Sequence, residues 1–117
     1  MSPRISGRPV CEGKPIIELT EKEFTRLVVE AAHWLGYMVY HTFMSIHSRP
    51  GYPDLTLIKP GRLIFAELKN SKGKVSPHQE EWLAALRATG TCEVYLWRPD
   101  DRESIQATLE NPNLGRG

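Results

Sequence analysis

Long apolar runs are missing from this sequence. No stretch approaches the roughly 20 consecutive apolar residues that span a bilayer, and the start has no apolar core of the signal-peptide kind. The expectation is a protein without a membrane partner, working in the cytoplasm. Cysteine is nearly absent as well. Cys11 and Cys92 stand far apart, with no metal-ligand spacing around either, which argues against a zinc-binding module and a disulfide-built scaffold and fits two free thiols in a reducing compartment. An excess of one charge is lacking too: the net charge is +1, so the placement of charges carries the information that their sum does not. No internal repeat or low-complexity segment interrupts the chain.

What is present is core-forming material. Hydrophobic residues make up 40% and charged residues 25% of 117 positions, which excludes disorder and fits one domain with one site. Residues 1–17 hold Pro3, Gly7, Pro9, Gly13 and Pro15 with Arg4, Arg8 and Lys14 between them, the composition of a flexible basic arm. The domain itself is expected over 18–109, followed by a flexible Pro/Gly-rich tail, 110–117.

A helix is expected after Thr20, which serves as N-cap with Glu23 completing a capping box. Phe24, Leu27, Val28, Ala31 and Leu35 recur at helical spacing, and Gly36 ends the helix. Tyr37–Phe43 reads as a strand and Ser45–Pro53 as a loop. Asp54–Ile58 and Leu63–Lys69 read as a hairpin about Lys59-Pro60-Gly61. After a polar, lysine-bearing loop, Ser76 caps a second helix with Pro77 in its first turn and Gly90 beyond its end. Its inward stripe is Gln79, Trp82, Leu83 and Leu86. Glu93–Trp97 supplies a fourth strand and Arg102–Leu109 a closing helix. The order αβββαβ gives an α/β fold with a mixed central sheet flanked by helices.

Chemistry concentrates on the hairpin. Alternation along its second strand places Leu63, Phe65, Glu67 and Lys69 on one face and Ile64, Ala66 and Leu68 on the other, so both faces start apolar and Glu67 enters a half-buried setting. A carboxylate there needs a cation, a hydrogen bond or a metal. With the turn at 59–61, Asp54 falls opposite residue 66 or 67, where across-strand neighbours sit about 4.5 to 5.5 Å apart, close enough to share one hard cation. An ordinary cross-strand ion pair would account for any one of Asp54, Glu67 and Lys69, but not for their combination. Gln79 fits a capping box with Ser76, but its place on the stripe facing the sheet, near Lys69, favours a site role. In the first helix Glu21 lies nearer the inward stripe than Glu23, although either also suits the positive end of the helix dipole. Ser48, Arg49, Lys72 and Lys74, with His47, sit on loops flanking the hairpin and suit contact with a phosphate backbone. His33, His41 and His78 are read as structural or surface residues.

The succession Glu21-x-x-Phe24, Gly51-Tyr52-Pro53-Asp54-Leu55, Glu67-Leu68-Lys69, Ser76-x-x-Gln79 and Val94-Tyr95-Leu96-Trp97-Arg98-Pro99 resembles the VRR-NUC nucleases, a branch of the PD-(D/E)xK superfamily. The resemblance covers about residues 18–103. It implies a restriction-endonuclease-like fold, similar to Holliday-junction resolvases, and stand-alone members of this size are typical of phages and prophages, hence of a bacterial host cytoplasm. It also implies magnesium or manganese as cofactor, a homodimer, and cleavage of DNA, branched DNA above all, in recombination, repair or replication. By motif, Asp54 and Glu67 would ligate the metal with the Leu68 carbonyl, Glu21 would act from the first helix, Lys69 would handle the attacking water and the charge on phosphorus, and Gln79 matches the family's glutamine. The family often has a glutamine where this chain has Thr25. The alternatives are a DNA-binding or assembly module without turnover and a sequence-specific restriction-type nuclease, for whose recognition segments a chain of this length leaves little room.

Overall fold

The computed structural model describes residues 19–43 and 48–111; the basic arm, His47 and positions 112–117 of the tail lie outside them. Helix α1 (Glu21–Trp34) starts as its capping signal predicts: the Thr20 hydroxyl accepts from the Glu23 amide at 3.0 Å, and the Glu23 carboxylate accepts from the Thr20 amide at 2.9 Å. Phe24, Leu27, Val28 and Ala31 are buried along one stripe. Gly36, at a φ of +92°, provides the left-handed residue after the helix.

Strand β1 (Met38–His41) is shorter than the expected Tyr37–Phe43. Tyr37 belongs to the core instead, its hydroxyl donating to the Leu109 carbonyl at 2.9 Å. Thr42 leaves the ladder after its amide donates to the Asp54 carbonyl at 2.8 Å. Strands β2 (Leu55–Lys59) and β3 (Arg62–Leu68) form the predicted hairpin, with Lys59 paired to Arg62 around Pro60-Gly61. Asp54, expected as the first residue of β2, stands one position before it.

Strand β4 (Glu93–Trp97) lies parallel to β3, which requires a crossover; helix α2 (Pro77–Ala88) provides it. The sheet order is β1-β2-β3-β4, antiparallel except for the last pair. A 3-10 turn at Pro99–Asp101 leads into α3 (Arg102–Glu110).

The two faces of the sheet are covered differently. Ile64, Ala66 and Leu68 join Leu55 and Leu57 in one cluster with the stripe of α1 and with Ile105 and Leu109 of α3. Each of the fully buried leucines contributes about 1.5–3 kcal/mol relative to exposure. The opposite face carries Phe65 and Glu67 towards α2, whose one buried residue is Leu83. Beyond Phe65 this face is open: Met38, Tyr40, Ile58 and Leu63 are exposed. At the far end, buried Arg62 donates to both Glu93 oxygens at 2.9 and 2.6 Å, to the Tyr37 hydroxyl at 2.7 Å and to the Thr108 carbonyl at 2.7 Å. Among the described residues, no helix is long and apolar enough to cross a membrane.

Candidate active site

Strand β3 is an interior strand, and its apolar run carries Glu67 inward with it, leaving the side chain 1% exposed. Its Oε2 accepts from the Gln79 side-chain nitrogen at 2.6 Å and lies 3.6 Å from the Lys69 ammonium. Its Oε1 is buried and receives no hydrogen bond. Such an atom is costly unless a cation meets it or the carboxyl keeps its proton and hydrogen-bonds to Asp54.

Asp54 stands across from this carboxylate. The pairing of Leu55 with Ala66 sets the register, so that Asp54 and Glu67 are the next step along the ladder. Asp54 Oδ2 accepts from the Leu68 amide at 2.8 Å, which fixes the aspartate against the end of β3. The two acids interact: burial, and after it the negative charge of Asp54, pushes the Glu67 carboxyl up to about 8, against the opposing pull of Lys69. Glu21 adds a smaller push in the same direction.

The loop that delivers Asp54 is seated on α2. Pro53 is fully buried. Gly51 has a φ of +98°, and a Cβ there would lie 2.6 Å from the backbone carbon and oxygen of His78. The Trp82 indole donates to the Pro50 carbonyl at 3.0 Å. Only glycine meets both demands at position 51.

The Gln79 side chain reaches both Ser76 and Glu67, because the amide has two ends. Its oxygen accepts from the Ser76 amide at 2.8 Å, closing the capping box, while its nitrogen donates to Glu67. One side chain thus caps the helix and holds the Glu67 carboxyl.

The donor set fits a divalent cation. Two acidic side chains face each other, one of them with a buried oxygen lacking a donor, and hard cations take oxygen ligands of this kind. Among the described residues no third His, Cys, Asp or Glu joins them in a cluster able to hold a metal. Glu21 is exposed at the start of α1 and shares a cleft with Asp54 rather than completing such a cluster. Glu23 is occupied in the α1 capping box.

Of the residues expected to contact phosphate, Ser48 and Arg49 line a second cleft that also reaches Asp54, and Lys72 and Lys74 are exposed on the loop after β3. That loop is held by Asn70, whose side chain accepts from the amides of Lys72 and Gly73, and by Arg98, which donates to the carbonyls of Asn70 and Gly73 at 2.9 and 2.7 Å. His33 and His78 are exposed, and the His41 ring lies 4.6 Å from that of Phe43. Sequence reasoning missed Arg98 as a loop anchor, and Tyr40 and Phe43 as walls of the clefts at Asp54. Arg98 had a signal in its position after the last strand; the two aromatics read simply as β-formers.

The sequence profile of the VRR-NUC domain matches residues 16–98. Among solved structures, one described as a VRR_NUC domain is 27% identical, with a TM-score of 0.61 over 74% of this chain and 95% of its own. Another, described as a VRR_NUC domain protein, is 18% identical with a TM-score of 0.60 over 83% of this chain and 90% of its own, a likeness of fold. No curated protein matches at a significant level. With a profile match over more than half its length and the αβββαβ core in place, the chain belongs to the VRR-NUC domain family, a family of nuclease domains.

Proposed function

We propose that this protein is a metal-dependent DNA endonuclease, selective for branched or flapped DNA, with Asp54, Glu67 and Lys69 at its centre. The observation that carries the reading is the buried Glu67 oxygen without a donor, facing Asp54 and flanked by Lys69. Asp54, Glu67 and the Leu68 carbonyl would hold Mg²⁺ or Mn²⁺. When bound, such an ion relieves negative charge on the phosphate and makes a water molecule more acidic.

The chain's own residues do the rest. Gln79 fixes the Glu67 carboxylate by its hydrogen bond and leaves the other oxygen to the cation. The Leu68 amide does the same for Asp54. Lys69, beside Glu67, orients the attacking water and meets the charge that grows on the phosphate oxygens. Glu21 acts from the rim of the cleft, through solvent. Ser48, Arg49, Lys72 and Lys74 hold the phosphate backbone, contacts that give affinity without reading sequence. A homodimer would present two such centres to a branched substrate of recombination or repair, as expected of a phage-type enzyme in a bacterial cell.

The test is cleavage of labelled four-way junction, 5′ flap, 3′ flap, single strand and duplex in Mg²⁺, Mn²⁺ or EDTA, with Glu67→Ala and Lys69→Ala beside the wild type. Cutting of a branched substrate that needs the metal and that both substitutions abolish is the expected result. Binding without cutting of any substrate in either metal would replace this reading with that of a DNA-binding module.

A further inference from the structure

Two clefts meet at Asp54, and Phe43 lies in the wall of both. One, on the α1 side, has a volume of about 530 Å³ and is lined by Lys22 and Arg26 together with Glu21, Glu30 and His41. The other, of about 640 Å³, is lined by Tyr40, Tyr52 and Trp82, with Ser48 and Arg49 among its walls. That volume falls in the range of pockets that enclose small ligands.

The second cleft is unusual in its chemistry. Four aromatic rings line it, and Tyr40 and Phe43 are 65% and 73% exposed. Tyr52 and Trp82 are held in place, edge to face at 5.0 Å, with Tyr52 also edge-on to Phe65 at 6.1 Å. The indole nitrogen is already committed to Pro50, so Trp82 offers its ring rather than its donor. Arg49 pairs with Glu81 at 3.5 Å, with both side chains well exposed, an ion pair of little strength that a phosphate can displace.

We infer that this aromatic cleft receives an unpaired nucleobase of the strand being cut, next to the phosphate that lies at Asp54. Every base has a π face, and aromatic side chains bind unpaired bases by stacking whatever the sequence. A base within a duplex is stacked on its neighbours and cannot enter without being unpaired. The cleft is continuous with the candidate catalytic centre through Asp54, and Arg49 suits the phosphate attached to such a base. The inference rests on the nuclease reading and narrows it: the preferred substrate carries single-stranded nucleotides at the cut.

The test compares two labelled oligonucleotides by fluorescence anisotropy in EDTA at fixed ionic strength: a blunt duplex, and the same duplex with a short single-stranded extension. The full chain, Tyr40→Ala, Phe43→Ala and the double variant are measured, and sedimentation of each reports its association state. The extension should bind about tenfold more tightly than the blunt duplex, equivalent to ~1.4 kcal/mol. The double variant should lose that preference while keeping its affinity for the blunt duplex. Equal affinity for both DNAs, a preference that survives the double variant, or no binding of either DNA overturns the inference. So does dissociation of a dimer by the same substitutions, which would make this wall a contact between copies of the chain. A preference that is present while none of the junction, flap, single-strand and duplex substrates is cut in Mg²⁺ or Mn²⁺ leaves the cleft assignment standing and sinks the nuclease reading, while cleavage without a preference does the reverse.

Discussion

Gln79 ties the start of α2 to the acid it serves, and its removal separates two effects. Gln79→Ala takes the donor from Glu67 and one half of the capping box, whereas Ser76→Ala takes the hydroxyl of the cap and leaves Glu67 with its partner. Both should cost stability of about 0.5–2 kcal/mol. With Glu67 as the proposed metal ligand, only Gln79→Ala should also lower the cleavage rate, by about 10–100-fold, the usual effect of losing a group that orients such a ligand. Steady-state assays and thermal melts of the two variants, run at a temperature where both are folded, make the comparison. Glu67 itself supplies a pH prediction. Its carboxyl is held up to about 8 in the folded protein, chiefly by burial and by Asp54. A group raised in this way stabilises the fold fully below its unfolded value of 4.5, and that contribution is lost as pH rises through about 8. The melting temperature in EDTA should therefore fall between pH 5 and about 8, and Glu67→Gln should flatten the fall. A profile in which wild type and Glu67→Gln run parallel would show that the Glu67 proton is not responsible.

The loop before β2 and the first turn of α2 act as a single unit around Gly51. A Cβ at this position meets the His78 backbone at 2.6 Å, and the φ of +98° is strained for any residue with a side chain. Gly51→Ala should push the loop away from α2 and move Asp54 from its place opposite Glu67. The expected outcome is a loss of cleavage larger than the loss of stability, read from activity at a temperature well below the melt of the variant. The strands and helices themselves were legible without coordinates. The capping residues Thr20 and Ser76, the Pro60-Gly61 turn and the apolar spacing of α1 are local signals, and each element lies within a few residues of its expected position. Strand β1 was less legible because Tyr37 and Phe43 are good β-formers, but what they pack against is set elsewhere in the chain. Tyr37 is taken by Leu109 and Arg62, and Phe43 by the wall of the clefts.

At the scale of the whole molecule, Arg62 joins β3 to β4, to the start of β1 and to the end of α3 through one buried guanidinium. Its hydrogen bonds to Glu93 raise the arginine further above its ordinary value. Arg62→Ala leaves the part-buried Glu93 carboxylate without its cation, with the Tyr95 hydroxyl as its remaining partner, and should cost up to about 3–5 kcal/mol, the penalty typical of breaking a buried pair. Denaturant melts measure it, and since Arg62 stands at the turn end of β3, the active-site end should keep its activity under folding conditions. The proposed cation binding would also act on the whole molecule. Mn²⁺ or Mg²⁺ at about 100 times its dissociation constant should stabilise the fold by ~2.7 kcal/mol, and Glu67→Ala should remove that gain; calorimetry with and without metal gives the answer.

The sequence by itself determined the elements and the hairpin register, and so which candidate residues stand together at the hairpin end, since period, caps and turns are properties of neighbouring positions. Asp54, Glu67 and Lys69 could be placed together because a hairpin of known turn is a local structure with a fixed ladder. Tertiary structure alone decided what those residues face. That Gln79 reaches Glu67, that Glu67 keeps one oxygen without a donor, and that Gly51 rests on His78 depend on how α2 lies across β3. The two clefts at Asp54 and the buried Arg62 network likewise bring together segments far apart in the chain. Such contacts follow from packing one element on another; the helical stripe points Gln79 at the sheet, but which atom it meets there is set by that packing.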